Sequence, residues 1–188
     1  MPKGCIFPEA RYGFAMELNA WTRQLRALYD KGLKFYAEGN FKEATYFDDT
    51  EKAFLSSIGL RPINVYDYVE DFCDAGEPDW DTYLLIAAAR RDYFLYHQKG
   101  VANTREINES ELPPKNADLD GIRWLPRIIR KAQCFIEGGL CHDIMYCCGG
   151  DRRFLKTYGI HPADFLREIW ASKGDEAKIL AFVKNAKP

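Results

Sequence analysis

The stretch TYFDDTEKAFLSSIGLRPINVYDYV, Thr45 to Val69, lies over MYCCGGDRRFLKTYGIHPADFLREI, Met145 to Ile169, at a constant offset of 100. Tyr46 and Tyr146, Phe54-Leu55 and Phe154-Leu155, Gly59 and Gly159, and Pro62 and Pro162 are identical across the two. Glu51 with Asp151, Lys52 with Arg152, Ser57 with Thr157, Leu60 with Ile160 and Asn64 with Asp164 are conservative pairs. Each copy reads as a short helix, a glycine stop and a proline at the start of the next helix. Trp21 and Trp124 open the matching leading helices after a three-residue gap. A unit of this size that occurs twice buries its apolar face best against its sibling, so the spacing predicts a pseudo-symmetric pair.

Working outward, helix signals dominate. Apolar residues at helical spacing (Leu18, Trp21, Leu25, Leu28) predict a helix from about Ala15 to Ala37. Asp49 or Thr50 can accept orphan amide hydrogens at the start of the next helix, Gly59 ends it, and Pro62 begins another. Asp79 can cap a long helix running through Tyr83, Ile86, Arg90 and Phe94. From His97 to Gly121 the pattern stops in a polar stretch that contains Pro113-Pro114 and reads as a linker or a long surface connection. Helices return from Trp124 to Glu137, Asp151 to Tyr158, Pro162 to Ala171 and Asp175 to Asn185, and almost no strand alternation is present. The expected fold is all-α: two tandem pseudo-symmetric copies of a small helical unit packed into one compact body. Residues 1–100 form the first repeat with an N-terminal extension, 101–122 the linker and 123–188 the second repeat.

Apolar residues at 47% and charged residues at 29% are ordinary globular values, and no run of about 18 apolar residues suggests a membrane span. The N-terminus is interrupted by Pro8, Glu9 and Arg11 before a signal-peptide core can form. A cytoplasmic protein is expected, with Cys5, Cys73, Cys134, Cys141, Cys147 and Cys148 as reduced thiols. A net charge of −2 argues against sequence-independent nucleic-acid binding, which needs a broad cationic surface. The charge is unevenly spread. Residues 41–80 hold three basic and ten acidic residues, whereas residues 121–160 hold seven basic and three acidic.

Three kinds of chemistry compete for the second copy. Cys141, His142, Cys147 and Cys148 are potential zinc ligands, but adjacent residues in regular structure point apart and no second Cys-x-x-Cys closes a tetrahedron, so no metal is expected. Cys148 precedes Gly149-Gly150 and a helix start, where amide hydrogens can activate a thiol, with His142 or His161 as base. Arg127 and Lys131 stand four apart on one helix face and can grip a carboxylate or phosphate, with Arg130, Arg152 and Arg153 near in sequence. No phosphate-loop or dinucleotide fingerprint accompanies them, and no cofactor is implied. Tyr83, Tyr93, Phe94, Tyr96 and His97 could line a pocket for a planar ligand, although such a stripe also reads as core packing.

The run from Gly121 to Lys184, roughly a third of the chain, resembles the bacterial domain-of-unknown-function family numbered 5069. The residues that carry the resemblance are WLPRIIRKAQ (Trp124 to Gln133), EGG (Glu137 to Gly139), YCCGGDRRFLKTYGI (Tyr146 to Ile160), ADF (Ala163 to Phe165) and DEAKILAFV (Asp175 to Val183). Pro126-Arg127, Lys131, Tyr146, Cys148 and Asp151 keep the family pattern; Arg130 stands where the family has an acid, and Gly149-Gly150 replaces Pro-Leu. The resemblance implies a small helical fold and no particular reaction.

The expected function is a site for an anionic small molecule between the repeats, of the kind found in small metabolic or biosynthetic enzymes. Arg127, Lys131, Arg130 and Trp124 would bind the ligand, and Cys148, Asp151, Tyr146 and His142 would supply polar or acid–base contacts. The rival is a non-catalytic interaction module whose acidic and basic copies dock onto partner proteins or pair as a homodimer.

Overall fold

Local chemistry sets the helix ends. In the computed structural model, which describes residues 19–186, eight α-helices are present; Ala15 to Leu18 of the expected first helix, and Cys5, lie outside the described residues. The first, α1 (Ala20–Ala37), is followed by α2 (Asp49–Ser57), whose N-cap Asp48 accepts from the Glu51 amide at 2.9 Å while the Glu51 carboxylate accepts from the Asp48 amide at 2.9 Å. This capping box satisfies two amides that would otherwise lack partners. Asp48→Ala is therefore expected to lower stability by about 1 kcal/mol without changing the urea m-value; an unchanged unfolding midpoint would show the box to be idle.

Helix α2 ends where Gly59 turns left-handed at φ +73, with the Leu60 amide donating back to the Leu55 carbonyl at 2.9 Å. In the second half, α6 (Gly149–Thr157) closes in the same way: Gly159 has φ +63 and the Ile160 amide donates to the Leu155 carbonyl at 3.0 Å. Both are Schellman closures, which favour glycine because a Cβ is strained there. After α2 come α3 (Ile63–Ala75) and α4 (Trp80–Asp92), the latter capped by Asp79, which accepts from the Thr82 amide at 2.9 Å. A single π-helical turn, Tyr93–His97, ends the first half. The second half holds α5 (Leu125–Glu137), α6, α7 (Pro162–Ser172) and α8 (Glu176–Asn185).

Packing follows the apolar faces. Helix α1 lies along α3, and α7 touches α4, α5 and α8, which makes it the hub joining the halves. Leu25, Leu55, Val65, Val69, Ile86, Leu125, Ile128, Phe165 and Leu166 are among the wholly buried side chains of one continuous core. The halves are also tied by Tyr68, whose hydroxyl donates to the Tyr146 carbonyl at 2.9 Å.

The segment between the halves is fastened to the second half. Ile107 and Leu112 are buried, and Ile107 bridges to Leu140, its amide donating to the Gly139 carbonyl at 2.8 Å. A two-residue Asp120-Gly121 turn joins β1 (Asp118–Leu119) to β2 (Ile122–Arg123), a hairpin too short to show as sequence alternation. Among the described residues no helix is long and apolar enough to cross a membrane.

Candidate functional site

Asp151 is the third residue of α6 and is completely buried. Its carboxylate accepts from Lys131 Nζ on α5 at 2.5 Å, from the Trp124 indole N–H at 2.9 Å and from the Cys147 amide at 3.0 Å. Three charge-assisted bonds satisfy a carboxylate that burial alone would make very costly. Lys131 also donates to Cys148 Sγ at 3.2 Å. Burial pulls the Lys131 ammonium down, but Asp151 and Cys148 overcome it and hold the group above its ordinary value. Burial pushes the neighbouring Cys147 thiol far up, so it stays protonated and inert.

The glycines of the Cys-Cys-Gly-Gly run now have a structural reason. A Cβ on Gly150 would lie 2.7 Å from Trp124 Cζ2, so only glycine lets the indole lie on the first turn of α6 and reach Asp151. Trp124 and Cys147 both adopt positive φ, +74 and +68, and both bond to Asp151. Backbone strain of this kind persists where the surroundings over-determine it, and it clusters at functional sites.

The first half contains a lysine–acid pair at the same offset of 100. Lys31 on α1 donates to Glu51, the third residue of α2, at 2.6 Å, and Glu51 reaches back to the Asp48 amide. The two pairs differ in environment: the Lys31 and Glu51 side chains are 32% and 23% exposed, those of Lys131 and Asp151 4% and 0%.

In front of the buried pair lies a cleft of about 730 Å³ between the halves. One wall comes from the second half: Trp124, Arg127, Lys131, Cys148 and Arg153, with Lys115 and His142 at the rim. The facing wall comes from α3: Ile63, Tyr66, Asp67, Glu70 and Asp71. Arg127 is buried, donates to the Pro113 carbonyl at 2.8 Å and pairs with the exposed Glu109. Lys115 and Arg153 form no ion pair among the described residues. On the acidic wall Asp71 pairs with Arg152, whereas Asp67 has no hydrogen-bond partner among the described residues. Burial, then the charges of Glu70 and Asp71, push the Asp67 carboxyl up to about 8.

The residues singled out from sequence are thus distributed in three ways. Trp124, Arg127, Lys131, Cys148 and His142 line the cleft. Asp151 and Tyr146 lie behind it; the Tyr146 hydroxyl donates to the Pro162 carbonyl at 2.8 Å, and its ring stacks on Phe135. Arg130 lies on another face of α5 and lines a different cavity. His142 is exposed, between Glu43 at 3.8 Å and Asp143 at 3.6 Å. Among the described residues no three of His, Cys, Asp and Glu converge to hold a metal ion. Sequence reasoning missed Asp67, Glu70 and Asp71 on the facing wall. The one signal pointing to them is the acidic balance of residues 41–80 set against the basic balance of 121–160.

Residues 112–188 match a family described as a domain of unknown function (DUF5069). The match begins at Leu112, the buried anchor of the connecting segment, and takes in Pro113, whose carbonyl holds Arg127. No curated protein and no solved structure matches the chain.

Proposed function

We propose that the cleft binds a small polar molecule carrying an anionic group, and that the same molecule presents an amino group to the opposite wall. The observation that supports this reading is the opposition of cations and carboxyls across one cavity: Arg127, Arg153 and Lys115 on one side, and on the other Glu70, Asp71 and Asp67, the last without a hydrogen-bond partner and ready to give up its proton when an amine binds. Lys131 is already neutralised by Asp151, so it orients the wall and Arg127 makes the anion contact. The exposed Glu109 can swing away from Arg127 at little cost, because a pair with one solvated partner is weak.

Asp67 is the proton-exchanging group of this site, its carboxyl pushed by burial up to about 8. Cys148 is the second group available for chemistry on the ligand. Free Cys73, Cys134, Cys141, Cys147 and Cys148 fit a reducing, cytoplasmic setting. We further read the paired Lys–acid bridges and the matching Schellman closures as marks of one ancestral helical unit copied in tandem, with the later copy turned into the ligand-holding half.

Three probes separate the poles: O-phosphoethanolamine carries both charges, ethyl phosphate only the anion and ethanolamine only the cation. At about 10 mM the first is expected to raise Tm by about 3 °C and the others by clearly less. Arg127→Ala should erase its advantage over ethanolamine, and Asp67→Asn its advantage over ethyl phosphate. Equal responses to all three probes, or none, would refute the two-pole reading.

A further inference from the structure

A second cavity, about 620 Å³, opens on another face of α5, between that helix, the π-turn and α7. Three rings line it. Tyr93 lies 4.5 Å from His97 and 5.3 Å from Trp170, and His97 lies 6.3 Å from Trp170. Trp170 stands nearly perpendicular to the other two, at 74° and 71°. His97 is exposed and Tyr93 and Trp170 are half-buried, so ring faces remain for a ligand.

The rings are held in place before anything binds. Tyr93 and His97 stand at the two ends of the π-helical turn, a rare widening of the helix that tends to occur at functional sites. Buried Arg90 clamps this turn to the end of α5: it donates to Gln98 Oε1 at 2.7 Å and to the Ile136 carbonyl at 2.9 Å, and Gln98 donates to the Glu137 carbonyl at 2.9 Å. A preorganised wall spares a ligand the cost of ordering it.

The charged groups at this cavity are uncommitted. Arg130, Lys173 and Glu137 line it, and among the described residues none of their side chains forms an ion pair or a hydrogen bond. Two cations face one carboxylate, which leaves a net positive lining. A guanidinium presents planar, paired donors that match a carboxylate or phosphate, and aromatic faces hold a planar ring by stacking.

We infer that this cavity is a second ligand site, taking a planar aromatic ring that bears an anionic group. The ring lies against His97 and Trp170 and the anion against Arg130 and Lys173, while Glu137 accepts from a ring amino group. An aromatic carboxylate and a nucleoside monophosphate share this chemistry.

Adenosine 5′-monophosphate and 4-aminobenzoate are the probes, followed by nitrogen-15 NMR at the Trp170 indole, which is assigned with Trp170→Phe. At least one probe is expected to shift that indole saturably. Which of the two binds more tightly assigns the anion as phosphate or carboxylate. Adenosine and ribose 5-phosphate, or aniline in the second case, should each bind about tenfold more weakly or worse. Trp170→Ala, read by titration calorimetry because it lacks the reporting indole, should weaken binding by about 5- to 150-fold, the range for loss of one stacking ring, and the exposed His97→Ala serves should the first variant not fold. Arg130→Ala should weaken the anion-bearing probe and leave adenosine or aniline unchanged, while Arg127→Ala in the other cleft changes nothing here. No saturable shift with either probe, or undiminished affinity in Trp170→Ala and His97→Ala, would overturn the inference.

Discussion

Asp151→Ala is expected to lower stability by about 3–5 kcal/mol, measured by urea unfolding near neutral pH. Removing the carboxylate strands a lysine that is 4% exposed and leaves the Trp124 indole and the Cys147 amide without their acceptor. An unpaired buried charge is far costlier than a lost contact. Glu51→Ala, the matching change in the first half, should cost only about 1 kcal/mol, because Lys31 remains partly solvated. Replacing both members of the buried pair, as Lys131→Met with Asp151→Leu, should recover much of the loss while removing the cleft's polar wall. An Asp151→Ala variant no less stable than Glu51→Ala would contradict the burial argument.

Asp67→Asn is expected to stabilise the protein at alkaline pH, with the sign fixed by proton linkage. The native carboxyl holds its proton to about pH 8, whereas an unperturbed carboxyl releases it near 3.8. Between those values the native state binds the proton and the unfolded state does not. The stability that this group contributes is therefore complete below the lower value and lost as pH rises through the higher one. The neutral amide removes that dependence. After a discount for partial exposure, the variant should exceed the wild type by about 2–3 kcal/mol at about pH 9, or roughly 5–10 °C in Tm, and match it near pH 4. Parallel stability–pH curves for the two proteins would show that Asp67 titrates normally.

The helix map was legible because its signals are local. Asp79 caps, Gly59 and Gly159 stop, and Pro162 starts a helix through bonds to residues within a few positions. The hairpin at 118–123 was not, since two-residue strands carry no period. Residues 101–122 read as polar because Ile107 and Leu112, which pin them to the second half, are isolated among hydrophilic neighbours. In the site, helical spacing placed Arg127 and Lys131 together correctly, but Arg130, one position short of Lys131, turns to the other cavity. Aligning the leading helices on Trp21 and Trp124 takes a three-residue gap; without that gap Lys31 falls over Lys131 at the offset of 100, and the two lysine–acid pairs come into line. Asp67 could not be found in this way, because nothing within the run Asp67 to Asp71 distinguishes the one carboxyl that tertiary packing leaves without a hydrogen-bond partner in the cleft.

The most direct test of a ligand site between the halves is a crystal structure of the full chain soaked in O-phosphoethanolamine. The predicted result is phosphate density against Arg127 and Arg153 with the amine within hydrogen-bonding distance of an Asp67 oxygen. Density only outside the cleft, at a concentration that saturates the thermal shift, would contradict the account.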